Sequence, residues 1–416
     1  MVSLQALANL PSNVKQYLLV TFNYWAFTLT DGALRMLVVL YFHQLGYEPL
    51  AIAMLFLFYE IFGVITNLIG GWLGARIGLN KTMQIGLVLQ VFALLMLALP
   101  SEYLSVIWVM FAQALSGIAK DLNKMSAKSS IKTLVPSDQQ GALFKWVALL
   151  TGSKNTLKGV GFFLGGFLLT TVGFQQGLIV MAMVLGAIAL MSQFLLKKEM
   201  GKAKNKPKFT SIFSTHAPLN YLSAARLFLF GARDIWFVIA APVFLASQLQ
   251  WSHQSVGIFM ACWVIGYGII QAATPKYISL SGQTTVTKTA KWALWLSVLS
   301  LAIAVGMYFL QESHSTLQLI LISGLLAFGA VFAVNSALHS YIIVSIAKED
   351  GVSMDVGFYY MANALGRLIG TILSGVIYQQ YSIEACLVGA TIMALCSSWL
   401  INKVKLSHEC IDSGKV

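Results

Sequence analysis

The chain has 416 residues, of which 58% are hydrophobic and only 10% charged, and its mean hydropathy is +0.76. Soluble domains carry about 25% charged residues, so this composition excludes an ordinary water-soluble fold and points to a polytopic membrane protein. The net charge of +12 does not point to nucleic acid, because the basic residues fall mostly in short loops between apolar runs.

The N-terminus does not have the form of a signal peptide, since Met1 to Lys15 lacks an apolar h-region and the first apolar run is long enough to span and stay. Twelve apolar segments of spanning length are predicted, at roughly 16–42, 50–74, 81–100, 103–127, 142–171, 174–196, 219–246, 254–275, 289–310, 316–344, 354–379 and 383–402. Turn residues mark the tight breaks at Gly46-Tyr-Glu-Pro49, Leu99-Pro-Ser-Glu102 and Val135-Pro-Ser-Asp138. With the N-terminus inside, the inner loops collect Lys15, Arg76, Lys81, Lys132, the run of lysines from Lys197 to Lys208, Lys276, Lys288, Lys291, Lys348, Lys403 and Lys405. The outer loops hold Glu48, Glu102, Glu312 and Glu384 and no lysine or arginine, so the positive-inside rule places both termini in the cytoplasm.

Span one carries Asp31 and, four residues on, Arg35, a spacing that lets the carboxylate serve as a fixed counter-ion. Asp31 and Glu60 of span two are equally candidates for carrying protons. The loop after span two reads Gly71-Trp-Leu-Gly-Ala75-Arg76-Ile-Gly78. It resembles the Gly-x-x-x-Asp-Arg-x-Gly loop of the major facilitator superfamily, except that Ala75 replaces the acid, so any latch which that acid supplies must be made otherwise.

Span four holds a lysine at every fourth position, Lys120, Lys124, Lys128 and Lys132. A lysine at the centre of a membrane helix costs about 2.5–3.5 kcal/mol on insertion scales, so these groups need water, a partner or an anion. Each four-residue step drifts about 40° around a helix, so the four cannot all face one ligand. Lys128 and Lys132 are expected to snorkel to the inner rim. Lys120 and Lys124 either face an anionic ligand or pair with Asp121.

Lys154 and Lys158 form a second such step in span five, beside Asn155, with no acid within four positions. They are read as anion-binding, a cross-helix pairing with Asp31 being the alternative. Arg233 and Asp234 are adjacent in span seven, which also carries Arg226, and are expected to point to different faces. In span ten, His339 is read as structural. Asn363 and Arg367 of span eleven lie in Asn363-Ala-Leu-Gly-Arg367-Leu-Ile-Gly370, where the glycines fit close helix packing and a guanidinium suits bidentate oxyanion contact. The substrate-binding candidates are therefore Arg35, Lys120, Lys124, Lys154, Asn155, Lys158, Arg233, Asn363 and Arg367. The candidate counter-ions or proton carriers are Asp31, Glu60, Asp121 and Asp234.

The two halves resemble each other. Asp31 and Asp234 are 203 positions apart, Asn155 and Asn363 are 208, and Gly161 with Gly166 and Gly370 with Gly375 are 209. A duplicated six-helix unit leaves such offsets, and two such halves joined by a basic loop resemble the major facilitator architecture. The expected domains are 1–196, a linker at 197–218, and 219–416. No Walker A, Gly-x-Ser-x-Gly or His-Glu-x-x-His sequence occurs, and Gly159-Val-Gly161 lies within a span, so no enzyme or cofactor is expected. The cysteines Cys262, Cys386, Cys396 and Cys410 have no metal or redox spacing.

Three segments are similar to the organoarsenical efflux permeases of the ArsJ type. They are Asn23-Tyr-Trp-Ala-Phe-Thr-Leu-Thr-Asp-Gly-Ala-Leu-Arg35 with His43-Gln-Leu-Gly46, then Ser116-Gly-Ile-Ala-Lys-Asp-Leu-Asn-Lys-Met-Ser-Ala-Lys128, then Leu149-Leu-Thr-Gly-Ser-Lys-Asn155 with Lys158-Gly-Val-Gly-Phe-Phe-Leu-Gly165. This resemblance implies an all-α transporter of the bacterial inner membrane that exports 1-arseno-3-phosphoglycerate and confers arsenate resistance. It implies a functional link to a cytosolic glyceraldehyde-3-phosphate dehydrogenase, which makes the compound. A monomer is expected, in contact with lipid and an anionic small molecule. Other readings left open are an organophosphate or phosphate antiporter and a non-transporting membrane sensor of an anionic metabolite. A cationic-drug exporter fits less well, because it needs membrane carboxylates that are scarce here.

Overall fold

The computed structural model describes residues 12–47, 52, 55–134, 140–196, 201–204, 207–212, 214, 216–280, 282–309, 314–348 and 350–405. The expected turn at Val135–Asp138, the acids Glu48 and Glu312, Lys197, Lys198 and Lys206, and Cys410 lie outside the described residues.

Among the described residues the regular structure is entirely helical, as it must be for a chain whose backbone polar groups meet no water in hydrocarbon. The helices are α1 (Ser12–Gln44), α2 (Leu57–Ile77), α3 (Leu79–Leu97), α4 (Val106–Leu134), α5 (Gln140–Thr171), α6 (Phe174–Leu195), α7 (Ala217–Phe237), α8 (Ala240–Ser247), α9 (His253–Ala273), α10 (Gly282–Phe309), α11 (His314–Ile346), α12 (Val352–Gln380) and α13 (Ile383–Ile401). Among the described residues, ten segments are long and apolar enough to cross a bilayer, α7 and α8 together forming one, Ala217–Ser247. The helices that carry the four-residue lysine steps, α4 and α5, are of spanning length at 29 and 32 residues but carry more charge. The span predicted at 219–246 is interrupted between α7 and α8. Pro242 has no amide to donate and its ring crowds the carbonyl of Val238, so the helix breaks there, and the Ala240 amide is satisfied by Ser374 Oγ at 3.1 Å.

The chain divides into two compact units. The first comprises Met1–Trp146, Leu157–Phe213 and Ala347–Met361, and the second Val147–Thr156, Ser214–Ile346 and Ala362–Val416. In the first unit α4 packs on α1, α2 and α3, while α6 packs on α1 and α3. In the second, α13 packs on α7 and α10, and α11 on α9 and α10. An aromatic core there joins Trp236, Trp263, Phe328 and Phe332 through edge-to-face and stacked rings.

Two glycines set the helix crossings that position the charges. A β-carbon on Gly161 of α5 would lie 2.6 Å from the Leu29 carbonyl oxygen of α1, and one on Gly370 of α12 would lie 2.9 Å from that of Gly231 on α7. Backbones at this separation leave no room for a side chain, the small-residue device of membrane helix packing. The two glycines are the pair related by 209 positions in the sequence.

The segment around Ala75, expected to be a loop after span two, is instead the end of α2, which runs to Ile77 and is held by backbone and side-chain contacts. In the first unit the Ala75 carbonyl accepts from the Ala203 amide at 2.8 Å, and the next amide, of Lys204, donates to Asp350 Oδ1 at 2.7 Å. Trp72 Nε1 donates to the Pro207 carbonyl at 3.1 Å, and Ser353 Oγ donates to the Gly71 carbonyl at 2.8 Å.

Candidate functional site

In the first unit, the close approach of α1 to α5 brings Lys158 Nζ to 3.8 Å from Asp31 Oδ2. Asp31 also accepts a hydrogen bond of 2.7 Å from the Tyr59 hydroxyl on α2. Arg35 forms its ion pair with Glu60, at 3.3 Å. The expectation that Asp31 serves Arg35 along one helix is therefore corrected: the neighbouring helices supply each residue with a different partner, and cross-helix packing outweighs the i,i+4 preference, worth only about 0.2–0.5 kcal/mol. For Lys158, the structure realises the cross-helix alternative.

On α4, Asp121 is 1% exposed and takes both neighbouring lysines, Lys124 at 2.5 Å and Lys120 at 3.8 Å. Of the two alternatives, the structure shows the pairing: the two lysines share one carboxylate, and their side chains remain 14% and 15% exposed. Lys128 departs from expectation. It is 3% exposed, with Nζ 4.8 Å from the centre of the Tyr360 ring of α12, so it is buried against that ring where a snorkelling side chain would be open to water. Lys132 is half-buried.

In the second unit, Asp234 is fully buried and again serves two cations, Arg233 Nε at 2.5 Å and Arg367 Nε at 3.2 Å. Arg233 and Asp234 were expected to face apart. The arginine side chain is long enough to fold back over one residue, and the two are in contact. Asn363 is buried, and its Nδ2 has no hydrogen-bond partner among the described residues. Lys154 is half-buried. Asn155 Nδ2 donates to Gln271 Oε1 at 2.8 Å, and from there a buried chain runs through Ser336 Oγ, which also receives Tyr267 OH at 3.1 Å and Arg226 Nη1 at 3.1 Å. His339 is fully buried one turn along α11 from Ser336, with neither ring nitrogen bonded among the described residues.

The predicted residues thus separate into two charged clusters, one per unit. In the first, Arg35 pairs with Glu60, Lys158 with Asp31, and Lys120 and Lys124 share Asp121, with Lys128 next along α4. In the second, Arg233 and Arg367 share Asp234, and Arg226 donates to the Ser336 carbonyl.

The sequence reading missed the aromatic partners. Tyr59, Tyr360 and Phe230 lie beneath the cations; Phe230, four residues after Arg226 and three before Arg233 on α7, is marked by helical spacing, whereas Tyr360 stands more than two hundred positions from the lysines it touches. Among the described residues, no three His, Cys, Asp or Glu side chains converge as metal ligands.

Residues 18–241 and 222–409 match the Major Facilitator Superfamily. No curated protein matches the chain. Among solved structures, the human organic anion transporter MFSD10 (TETRAN) superposes with a TM-score of 0.73 at 16% identity, covering 94% of this chain and 100% of that one. A bacterial homologue of the iron transporter ferroportin, in its outward-facing state, gives 0.70 at 14% identity, with 95% and 99% covered. The proton:xylose symporter XylE gives 0.70 at 13% identity, with 94% and 97% covered. At these identities the likeness is one of fold.

Proposed function

Because this chain belongs to the Major Facilitator Superfamily and is a multi-pass membrane transporter rather than an enzyme, we propose that it exports a phosphorylated organoarsenical anion, 1-arseno-3-phosphoglycerate, from the cytosol by alternating access. The observation that carries this reading is that two buried carboxylates, Asp121 and Asp234, are each shared between two basic side chains. A substrate bearing a phosphate and an acyl-arsenate supplies the missing negative charge. Arsenic(V) in such an ester is a hard centre bound through oxygen, so lysine and arginine suffice and thiolates are not needed. Resemblance of the segments at 23–35, 116–128 and 149–165 to the ArsJ-type permeases names the compound.

In this reading the protein lies in the bacterial inner membrane as a monomer with both termini inside, and a cytosolic glyceraldehyde-3-phosphate dehydrogenase supplies its substrate from arsenate. Each negative charge moved outward across about 100 mV releases about 2.3 kcal/mol, so a polyanion leaves without a coupled proton. The test is arsenate resistance in cells carrying this chain with and without that dehydrogenase. Resistance only when both are present supports the assignment, and equal resistance in both cells defeats it.

A further inference from the structure

Three aromatic rings each carry two cations. Tyr59 lies under Lys120 Nζ at 3.7 Å and Arg35 Cζ at 4.8 Å. Tyr360 lies under Lys124 at 5.1 Å and Lys128 at 4.8 Å. In the second unit, Phe230 lies under Arg226 at 4.0 Å and Arg233 at 4.8 Å. Tyr59 and Tyr360 are themselves buried, so their faces are desolvated.

The distinction between a ring and a carboxylate as partner is one of charge. A carboxylate stabilises a buried ammonium by cancelling it, and the pair then has little attraction left for a third ion. An aromatic face stabilises the same ammonium through its quadrupole and leaves the full positive charge in place. On α4 both devices occur together: Asp121 neutralises one charge of the Lys120–Lys124 pair, while the rings of Tyr59 and Tyr360 support three rungs of the ladder.

We propose that Tyr59 and Tyr360 are positioning residues of an oxyanion site on α4, holding Lys120, Lys124 and Lys128 charged and in place for a phosphate-type group. For its role in export this rests on the anion-transport reading above. The binding step itself does not depend on which phosphorylated compound is carried. The site makes Lys128 part of the electrostatic field of the ladder instead of an anchor at the membrane rim.

The test uses the full-length protein in lipid nanodiscs with inorganic phosphate as the probe, followed by calorimetry. Phenylalanine and its mono-, di- and trifluorinated forms are placed at position 360, because fluorine drains the ring face while hardly changing its shape. Phosphate affinity is expected to fall stepwise with each fluorine, to about tenfold weaker at three, and Tyr360→Leu is expected to match the trifluorinated protein. A merely structural ring would give the same affinity across the fluorinated series, and that result overturns the proposal even if Tyr360→Leu fails to fold. In flux assays, a raised half-saturation concentration with unchanged maximal rate supports positioning of the anion site, and the reverse pattern counts against it. The fluorine trend in a protein that does not export the organoarsenical would leave this inference standing and remove the functional reading. Absence of phosphate binding to the unmodified protein overturns the inference alone if organoarsenical export persists, and both if it does not.

Discussion

Asp31 and Lys158 form an ion pair of 3.8 Å between α1 and α5, and the residues 203 and 209 positions further on, Asp234 and Arg367, form one of 3.2 Å between α7 and α12. Each pair lies beside a backbone contact closed by a glycine, Gly161 in the first and Gly370 in the second. Each unit thus carries a glycine-closed helix crossing with an ion pair beside it, the cation being an ammonium in one and a guanidinium in the other.

The buried carboxylates should prove unequal. Asp234 is fully buried and serves two arginines, so Asp234→Asn leaves uncompensated buried charge and should cost about 3–5 kcal/mol. Asp31→Asn should cost less, because the amide still accepts the Tyr59 hydroxyl. Thermal unfolding in detergent compares the two, and equal losses would contradict the shared-carboxylate description. The double change Asp234→Ala with Arg367→Ala should destabilise by less than the sum of the single changes.

Along α4 the ladder should show a graded response. Lys124→Gln, which removes the cation held 2.5 Å from Asp121, should abolish export. Lys128→Gln should reduce it strongly, and Lys132→Gln should mostly spare it. Uptake of substrate by everted vesicles reads all three, and loss of the same size at Lys132 would restore a ladder acting as one undivided site.

Glycine at the two crossings is required by space. Gly161→Ala and Gly370→Ala each drive a methyl group into backbone atoms, and overpacking of this kind costs about 1–3 kcal/mol. Both variants should show reduced monodisperse yield on size-exclusion chromatography, whereas Gly186→Ala, where a β-carbon meets nothing within 4 Å, should not. A wild-type profile for Gly161→Ala would show that the crossing can relax.

Much of the fold was legible because a run of apolar residues of bilayer length has few other uses. The spans predicted at 81–100 and 174–196 match α3 and α6 within a few residues. The break after Phe237 was hidden, since one proline in an apolar run has several outcomes in a membrane helix. Charged positions were legible as a set, because lysine within a span is costly wherever it occurs. Their partners were not. Glu60 reaches Arg35 only because α2 packs near α1, and Tyr360 covers Lys128 only because a distant segment lies on α4. The missing acid at Ala75 was legible, but the linker amide that bonds the Ala75 carbonyl was not, because side-chain patterns do not reveal such contacts.

That linker contact can be tested. Asp350→Ala removes the acceptor of the Lys204 amide and should speed tryptic cleavage within 201–208 several-fold, with little change in thermal stability. An unchanged cleavage rate would mean that the other contacts, Ala203 to Ala75 and Trp72 to Pro207, hold the segment alone.

The central claim is that the cationic clusters move a phosphorylated organoarsenical anion outward. Its most direct measurement is uptake of arsenic into everted membrane vesicles supplied with dehydrogenase, glyceraldehyde 3-phosphate, NAD and arsenate, under an imposed membrane potential or an imposed pH gradient. The account predicts arsenic accumulation that requires the dehydrogenase, follows the potential and disappears in Lys124→Gln. Accumulation that follows the pH gradient alone, or that proceeds equally without the dehydrogenase, would contradict it.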